Sequence, residues 1–337
     1  MRAVFVGVGA VGARAARQLQ FLGPLDDLVV ADADPARARA VADSLGTPAR
    51  VGTAEEAGDG DVVVLAHPGS HADAASAALA GGAQVVSTTD DLVAVQQLLA
   101  LDAAASDRGR TVVVGAGFSP GLSCVLAALA ARSFERVDEV HVAKVGTGGP
   151  ACEHQQLQAV TKDALDWRDG AWETRRGGSG RELFWFPDPL RGVDCYCAAL
   201  PEPTLLLGAF PRASRITARA AGGRKALLLA RLPKLRREDA EGTLGAVRVE
   251  VRGAQGTALD DRVLGAVDRP VVAAGAVAAM AARWALDGRL ARAGASGLAS
   301  LVEPGPFLAA LADRGVKVAV FEGGSHGAPA EAAAGRP

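Results

Sequence analysis

The chain has 337 residues, with 36 Lys and Arg against 38 Asp and Glu, a formal net charge of −2 and 49% hydrophobic residues. That length suits about two domains with a sizeable core, and the near-neutral balance excludes a global basic field for nucleic acid or an acidic membrane surface. No apolar run reaches the roughly 20 residues of a membrane span. A strand pattern begins at residue 3, where a signal peptide needs a charged and then apolar leader. The expected setting is therefore cytoplasmic, with a small-molecule substrate and no nucleic-acid or membrane partner. Four cysteines, Cys124, Cys152, Cys195 and Cys197, are too few and too scattered for a disulfide framework, and are read as buried thiols with no metal site.

The chain opens MRAVFVGVGAVG, an apolar strand that runs into Gly7-Val8-Gly9-Ala10-Val11-Gly12 and then into an Ala-rich helix. In a dinucleotide-binding turn Gly7 permits the tight bend, Gly9 lets the backbone approach a pyrophosphate, and Gly12 lets helix and strand pack closely. The helix N-terminus then offers unpaired N–H groups to the phosphates. The next apolar strand, Asp27–Ala31, ends at Asp32, whose carboxylate suits a ribose 2′-hydroxyl and repels a 2′-phosphate. This favours NAD, while Arg37 keeps NADP open as the cofactor. The expected cofactor contacts here are Gly7, Gly9, Ala10, Val11, Gly12, Asp32, Ala33 and Arg37.

Further along, Pro35–Leu45 reads as a helix with proline in its first turn and 61–66 (DVVVLA) as a buried strand. A helix over 71–80, a strand at Gln84–Ser87, a helix over 92–107 and a strand at 111–115 follow. Continuous apolar strands alternating with helices predict a doubly wound parallel sheet of Rossmann type over residues 1–134. Ligands belong at the carboxyl ends of such strands. That directs attention to Ala66, His67 and Pro68, to Thr88 and Thr89 for cofactor, and to Ser119, Pro120 and Gly121 for substrate. His67 is the first candidate proton donor, whereas Asp90 reads as the N-cap of the helix near Leu92.

From Val137 the pattern changes. A strand over 137–145 leads through a glycine-rich loop at 146–150 into a helix over 151–164, then a turn-rich aromatic stretch over 167–187. A cleanly alternating strand at 243–252 follows. This predicts a mixed α+β substrate and dimerisation domain over 135–268, whose apolar sheet suits a homodimer. A helix over 271–286, a helix over 307–313 and a strand over 316–321 are expected to return to the first domain (269–322), leaving 323–337 as a disordered tail. The glycine loop before a helix is an anion cradle, so Lys144, Gly148 and Gly149 are expected to bind a substrate carboxylate. His154 is the second candidate proton donor. Arg181, beside Phe184-Trp185-Phe186, is a further candidate for gripping a carboxylate.

The succession GVGAVG, VVADADPARA, VVVLAHPG, VVSTTDD and VVVGAGFSPGLSCVLA resembles the saccharopine dehydrogenase-like NAD(P)-dependent oxidoreductases across most of the chain. The resemblance implies a Rossmann domain, a substrate domain and a returning C-terminal helix. It also implies a place in amino acid metabolism, with hydride transfer at an amine or imine carbon. The strand, loop and helix around Lys144 look like those of dihydrodipicolinate reductases too, but that group's His-His-x-x-Lys run is absent and no catalytic assignment carries over. Two alternatives stay open at this point. One is an enzyme using retained NAD(P) for epimerisation, cyclisation or elimination without net redox; the other is a non-catalytic dinucleotide-binding regulatory or scaffold protein.

Overall fold

The computed structural model describes residues 1–148, 150–222 and 242–321. The chain begins with strands β1 (Arg2–Val6), β2 (Asp27–Ala31), β3 (Ala49–Val51), β4 (Val62–Leu65), β5 (Gln84–Ser87) and β6 (Thr111–Val114). Helices α1 (Ala10–Phe21), α2 (Pro35–Leu45), α3 (Ala72–Ala80), α4 (Leu92–Leu99) and α5 (Asp102–Asp107) connect them. Helix α6 (Leu122–Ala131) leads on to β7 (Arg136–Val145), α7 (Pro150–Thr161) and four strands: β8 (Ala164–Arg168), β9 (Ala171–Arg175), β10 (Glu182–Phe186) and β11 (Arg191–Cys197). Next come α8 (Glu202–Ala209), β12 (Arg215–Ala221), β13 (Gly245–Gln255) and β14 (Ala258–Asp268). The chain closes with α9 (Pro270–Leu286), β15 (Gly294–Gly297), α10 (Leu298–Leu301), α11 (Pro304–Ala312) and β16 (Val318–Phe321).

Two sheets result. The first, in the order β15-β6-β5-β4-β1-β2-β3, is parallel throughout. Its inner strands are Val-rich and buried along nearly their whole length, as a sheet covered on both faces requires. The order reverses at β1, which lies between β2 and β4, so a crevice opens at their carboxyl ends. The second sheet is mixed, in the order β10-β11-β12-β7-β13-β14-β16, with the β8–β9 hairpin joined to β12. One of its faces carries Val140, Val142, Ile216, Ala218, Val247 and Val249, all buried.

Helix α9 binds the halves together. Fourteen of its residues are buried, the signature of a helix enclosed on nearly every side. At Gly275 a Cβ would come within 2.7 Å of Arg14 Cβ, so the glycine sets how closely α1 and α9 approach. Trp284 then meets Phe307 of α11 edge-on, with ring centroids 5.0 Å apart. No described helix is long and apolar enough to cross a membrane.

Three expectations are corrected. The helix over 92–107 is two helices, because Asp102 Oδ1 accepts the Ala295 N–H at 2.8 Å and so ties the start of α5 to β15. The last strand does not return to the first sheet: β16 pairs antiparallel with β14, and the return is made by α9 and β15. The helix predicted over 151–164 ends at Thr161, and Ala164 already belongs to β8. The expected tail at 323–337 lies outside the described residues.

Candidate functional site

A cavity of about 880 Å³ opens at the carboxyl ends of β1, β4, β5 and β6, and is closed from the other side by the end of β7, the start of α7 and the start of α9. That volume falls within the usual range for ligand sites. At one end Gly7 adopts φ +89°, and a Cβ there would lie 2.6 Å from His67 N. A Cβ on Gly12 would lie 2.0 Å from the Gly7 carbonyl oxygen. Gly12 therefore does not line the cavity; it allows α1 to sit against the turn. Gly9 differs, since a Cβ there would meet nothing within 4 Å, yet the residue lines the cavity together with Ala10 and Val11. The missing side chain leaves an open floor at the N-terminus of α1, where no side chain caps the helix. Free N–H groups and the positive end of the helix dipole make that floor an anion cradle, and a dinucleotide pyrophosphate fits it.

Asp32 is fixed beside the cradle. Its Oδ2 accepts the Val8 N–H at 2.8 Å, while Oδ1 accepts the Asp34 N–H at 2.9 Å and Arg37 Nη1 at 3.3 Å. Arg37 is shared with Asp34, 3.6 Å from its carboxylate. Ala33 lines this end with them, as do Thr53 and Glu55, which sequence reasoning missed.

Ala66, His67 and Pro68 form the next stretch of wall. A carbonyl only accepts, so His67 Nδ1 donates to Pro68 O at 3.0 Å. Behind it, buried His71 donates from Nε2 to His67 O and accepts the Ser87 hydroxyl at Nδ1, both at 2.8 Å. Burial pushes His71 down to about 4, so a neutral ring holds the His67 backbone in place. Thr88 and Thr89 lie past β5 on the same wall, Thr88 donating to Leu65 O at 3.3 Å.

The charged group of the far end comes from three elements. Lys144 of β7, 7% exposed, donates from Nζ to Ser119 O at 3.3 Å and stands 3.9 Å from Asp90 Oδ2. Asp90 is not the helix cap. The Asp91 side chain accepts the Ala94 N–H at 2.9 Å and caps α4, which frees its neighbour to face the cavity. Burial raises the Asp90 carboxyl above the usual carboxylate range, with Lys144 pulling in the opposite direction. Ser119, Pro120, Gly148 and Cys152 complete this wall with Gln155 and Gln156. Burial also raises the Cys152 thiol, with Asp90 adding to the effect.

Several expected residues lie elsewhere. His154 is exposed on the outer side of α7, where its Nε2 accepts Gln158 Nε2 at 2.9 Å; the cavity instead takes Cys152, Gln155 and Gln156 from that helix. Arg181 is 70% exposed and pairs with Asp194 at 2.8 Å, away from the cavity. Gly121 shapes the turn before α6 at φ +126°, with no room for a Cβ against Gly117 O, and does not line the cavity. Gly149 lies outside the described residues. The Asp90–Asp91 doublet carried a usable signal, because the N-cap is the residue directly before the first helical one, Leu92.

Residues 2–91 match the family described as NADP oxidoreductase coenzyme F420-dependent. No curated relative matches the chain in sequence. Among solved structures, apo saccharopine dehydrogenase (L-Glu forming) from Saccharomyces cerevisiae aligns with a TM-score of 0.67 at 16% identity, covering 95% of this chain and 99% of that one. An amine dehydrogenase from Mycobacterium smegmatis aligns with a TM-score of 0.53 at 13% identity, over 90% of this chain and 96% of that one. The chain thus has a saccharopine dehydrogenase-like fold: a Rossmann-type parallel sheet joined to a second, mixed sheet.

Proposed function

We propose that this chain is an NAD(P)-dependent oxidoreductase acting at the C–N carbon of a small, carboxylate-bearing amine or imine. The observation that carries this reading is the Lys144–Asp90 pair, one charge of each sign 3.9 Å apart, in a cavity whose opposite end is the Gly9 cradle. Bound along that cavity, a nicotinamide dinucleotide supplies hydride transfer, the difficult step. Gly9, Ala10 and Val11 would hold its pyrophosphate. Asp32 and Glu55 face the end left for the adenosine ribose, against one guanidinium that Asp32 and Asp34 already share. That balance favours a ribose hydroxyl over a 2′-phosphate, and hence NAD.

The chain's own residues divide the remaining work. Lys144 binds the substrate carboxylate and so orients the reacting carbon. Asp90, with its raised pKa, takes a proton from the nitrogen in the oxidative direction and returns it in the reductive one. His67, held by His71 and by its own bond to Pro68, presents Nε2 as a second polar contact. A panel of amino and keto acids with NAD(H) and NADP(H) at pH 7 and pH 9 tests the reading through nicotinamide absorbance, after calorimetry of each dinucleotide. Substrate-dependent absorbance change with an amino or keto acid is expected. Failure to bind either dinucleotide, or binding without turnover across the panel, defeats it.

A further inference from the structure

Glu202 is the first residue of α8 and is 0% exposed. Ser119, in the cavity wall, donates its hydroxyl proton to Glu202 Oε1. The second carboxylate oxygen, Oε2, is buried and has no hydrogen-bond partner among the described residues. Burying an acid this way costs free energy that an apolar side chain of similar size would not. The turn that carries Ser119 is also docked on α8, since a Cβ at Gly115 would meet both Pro120 and Leu205 within 3.1 Å. The acid and the cavity wall are therefore held in fixed relation.

We propose that Glu202 is a positioning residue that sets the hydrogen-bond polarity of the cavity wall, so that the site prefers a ligand nitrogen bearing N–H over the corresponding carbonyl oxygen. A serine hydroxyl has one proton and two lone pairs, whereas a carboxylate only accepts. With its proton committed to Glu202, Ser119 Oγ is left with lone pairs alone to offer the cavity. Its carbonyl is already taken by Lys144. Asp90 adds a second acceptor close by, so Lys144 engages the carboxylate of the ligand while Ser119 and Asp90 engage its ammonium or iminium. This rests on the functional reading above and adds a residue outside the cavity that decides between amine and carbonyl.

The test compares the common L-amino acids with their 2-oxo analogues, each titrated by calorimetry into the dinucleotide-loaded protein and assayed for kcat and KM. In Glu202→Gln the amide can donate to Ser119, whose proton then turns toward the cavity. Amino-acid binding should weaken about tenfold, the scale of one hydrogen bond to a charged group, and appear in KM more than in kcat. Binding of the 2-oxo analogues should stay within about twofold, and Glu202→Asp, which keeps an acceptor, should recover most of the loss. Equal losses for both ligand classes, or no change in either, overturn the proposal. If Glu202→Gln does not fold, Ser119→Ala is read in the same way: selective loss of amino-acid binding supports the proposal and equal loss overturns it. Wild-type protein that binds dinucleotide but no amino acid overturns the functional reading and this one together, whereas a wild-type preference unchanged in Glu202→Gln overturns only this one.

Discussion

The two walls of the cavity recognise a ligand by opposite means. On the side of β1 and α1 the wall is main chain and missing side chain: Gly7 and Gly12 bring segments together, and Gly9 leaves a floor open. On the side of β7 and α7 it is made of side chains, Lys144, Cys152, Gln155 and Gln156, reaching in from the second sheet and its helix. The first wall should therefore be damaged by adding atoms and the second by removing them. Dinucleotide binding and substrate recognition then separate by the kind of substitution that each tolerates.

The largest expected effect comes from filling the first wall. Gly9→Asp places a carboxylate where the pyrophosphate would lie, and should weaken NADH binding by about 1,000-fold, roughly 4 kcal/mol, in calorimetry. Its melting temperature should stay within about 2 °C of wild type, because a Cβ at Gly9 meets nothing within 4 Å. A matching loss of stability would mean that the two walls do not differ in this way. Gly12→Ala is the control, with its Cβ 2.0 Å from Gly7 O, and should lower the melting temperature as well as the affinity.

Removing atoms from the second wall comes next. Lys144→Met should reduce kcat/KM by about 100-fold, near 3 kcal/mol, because it takes the buried cation from its pair with Asp90. NADH affinity should be unchanged; a parallel loss of dinucleotide binding would erase the division of labour. Acid should act on the first wall through His71. Its pKa falls from 6.5 to about 4 on folding, so between these values the unfolded chain binds more protons, and stability is full above pH 6.5 and lost as pH falls toward 4. The term is on the order of 3 kcal/mol, and His71→Asn should flatten the fall in urea midpoint between pH 7 and pH 4.5. An equally steep fall in the variant would assign the acid sensitivity to other groups. The smallest effect is on selectivity: Asp32→Asn should move the NAD to NADP affinity ratio by about tenfold toward NADP, and an unaltered ratio would remove Asp32 from ribose recognition.

The two walls also differed in how much of them could be read from the chain. A glycine spacing that ends a strand and begins a helix is a backbone statement, so Gly7, Gly9, Gly12 and Asp32 stand in the structure where their order in the chain puts them. Side-chain walls depend on rotation and register, which local sequence states weakly. Helix α7 has no apolar stripe in Cys152-Glu153-His154-Gln155-Gln156 to fix its inward face, and His154 falls on the outer side. Strand β15, Gly294–Gly297, has no hydrophobic pattern and forms because β6 offers it an edge. Glu202 follows a proline in a stretch with no motif, and only the fold brings it 83 positions back to Ser119.

The placement of β15 also bears on how the chain reaches its native state. The parallel sheet that forms the nucleotide wall is completed by a strand near residue 295, tied to Thr111 by a bond from its hydroxyl to Arg292 O, 181 positions away. Helix α1 meanwhile rests on α9. A chain emerging from the ribosome thus cannot finish its first sheet until all but the last strand of the second has been synthesised, and contacts so distant in sequence slow folding. The two halves are separable as walls of a cavity but are one unit of assembly, and a fragment ending near residue 134 would expose the β6 edge to pairing with other chains.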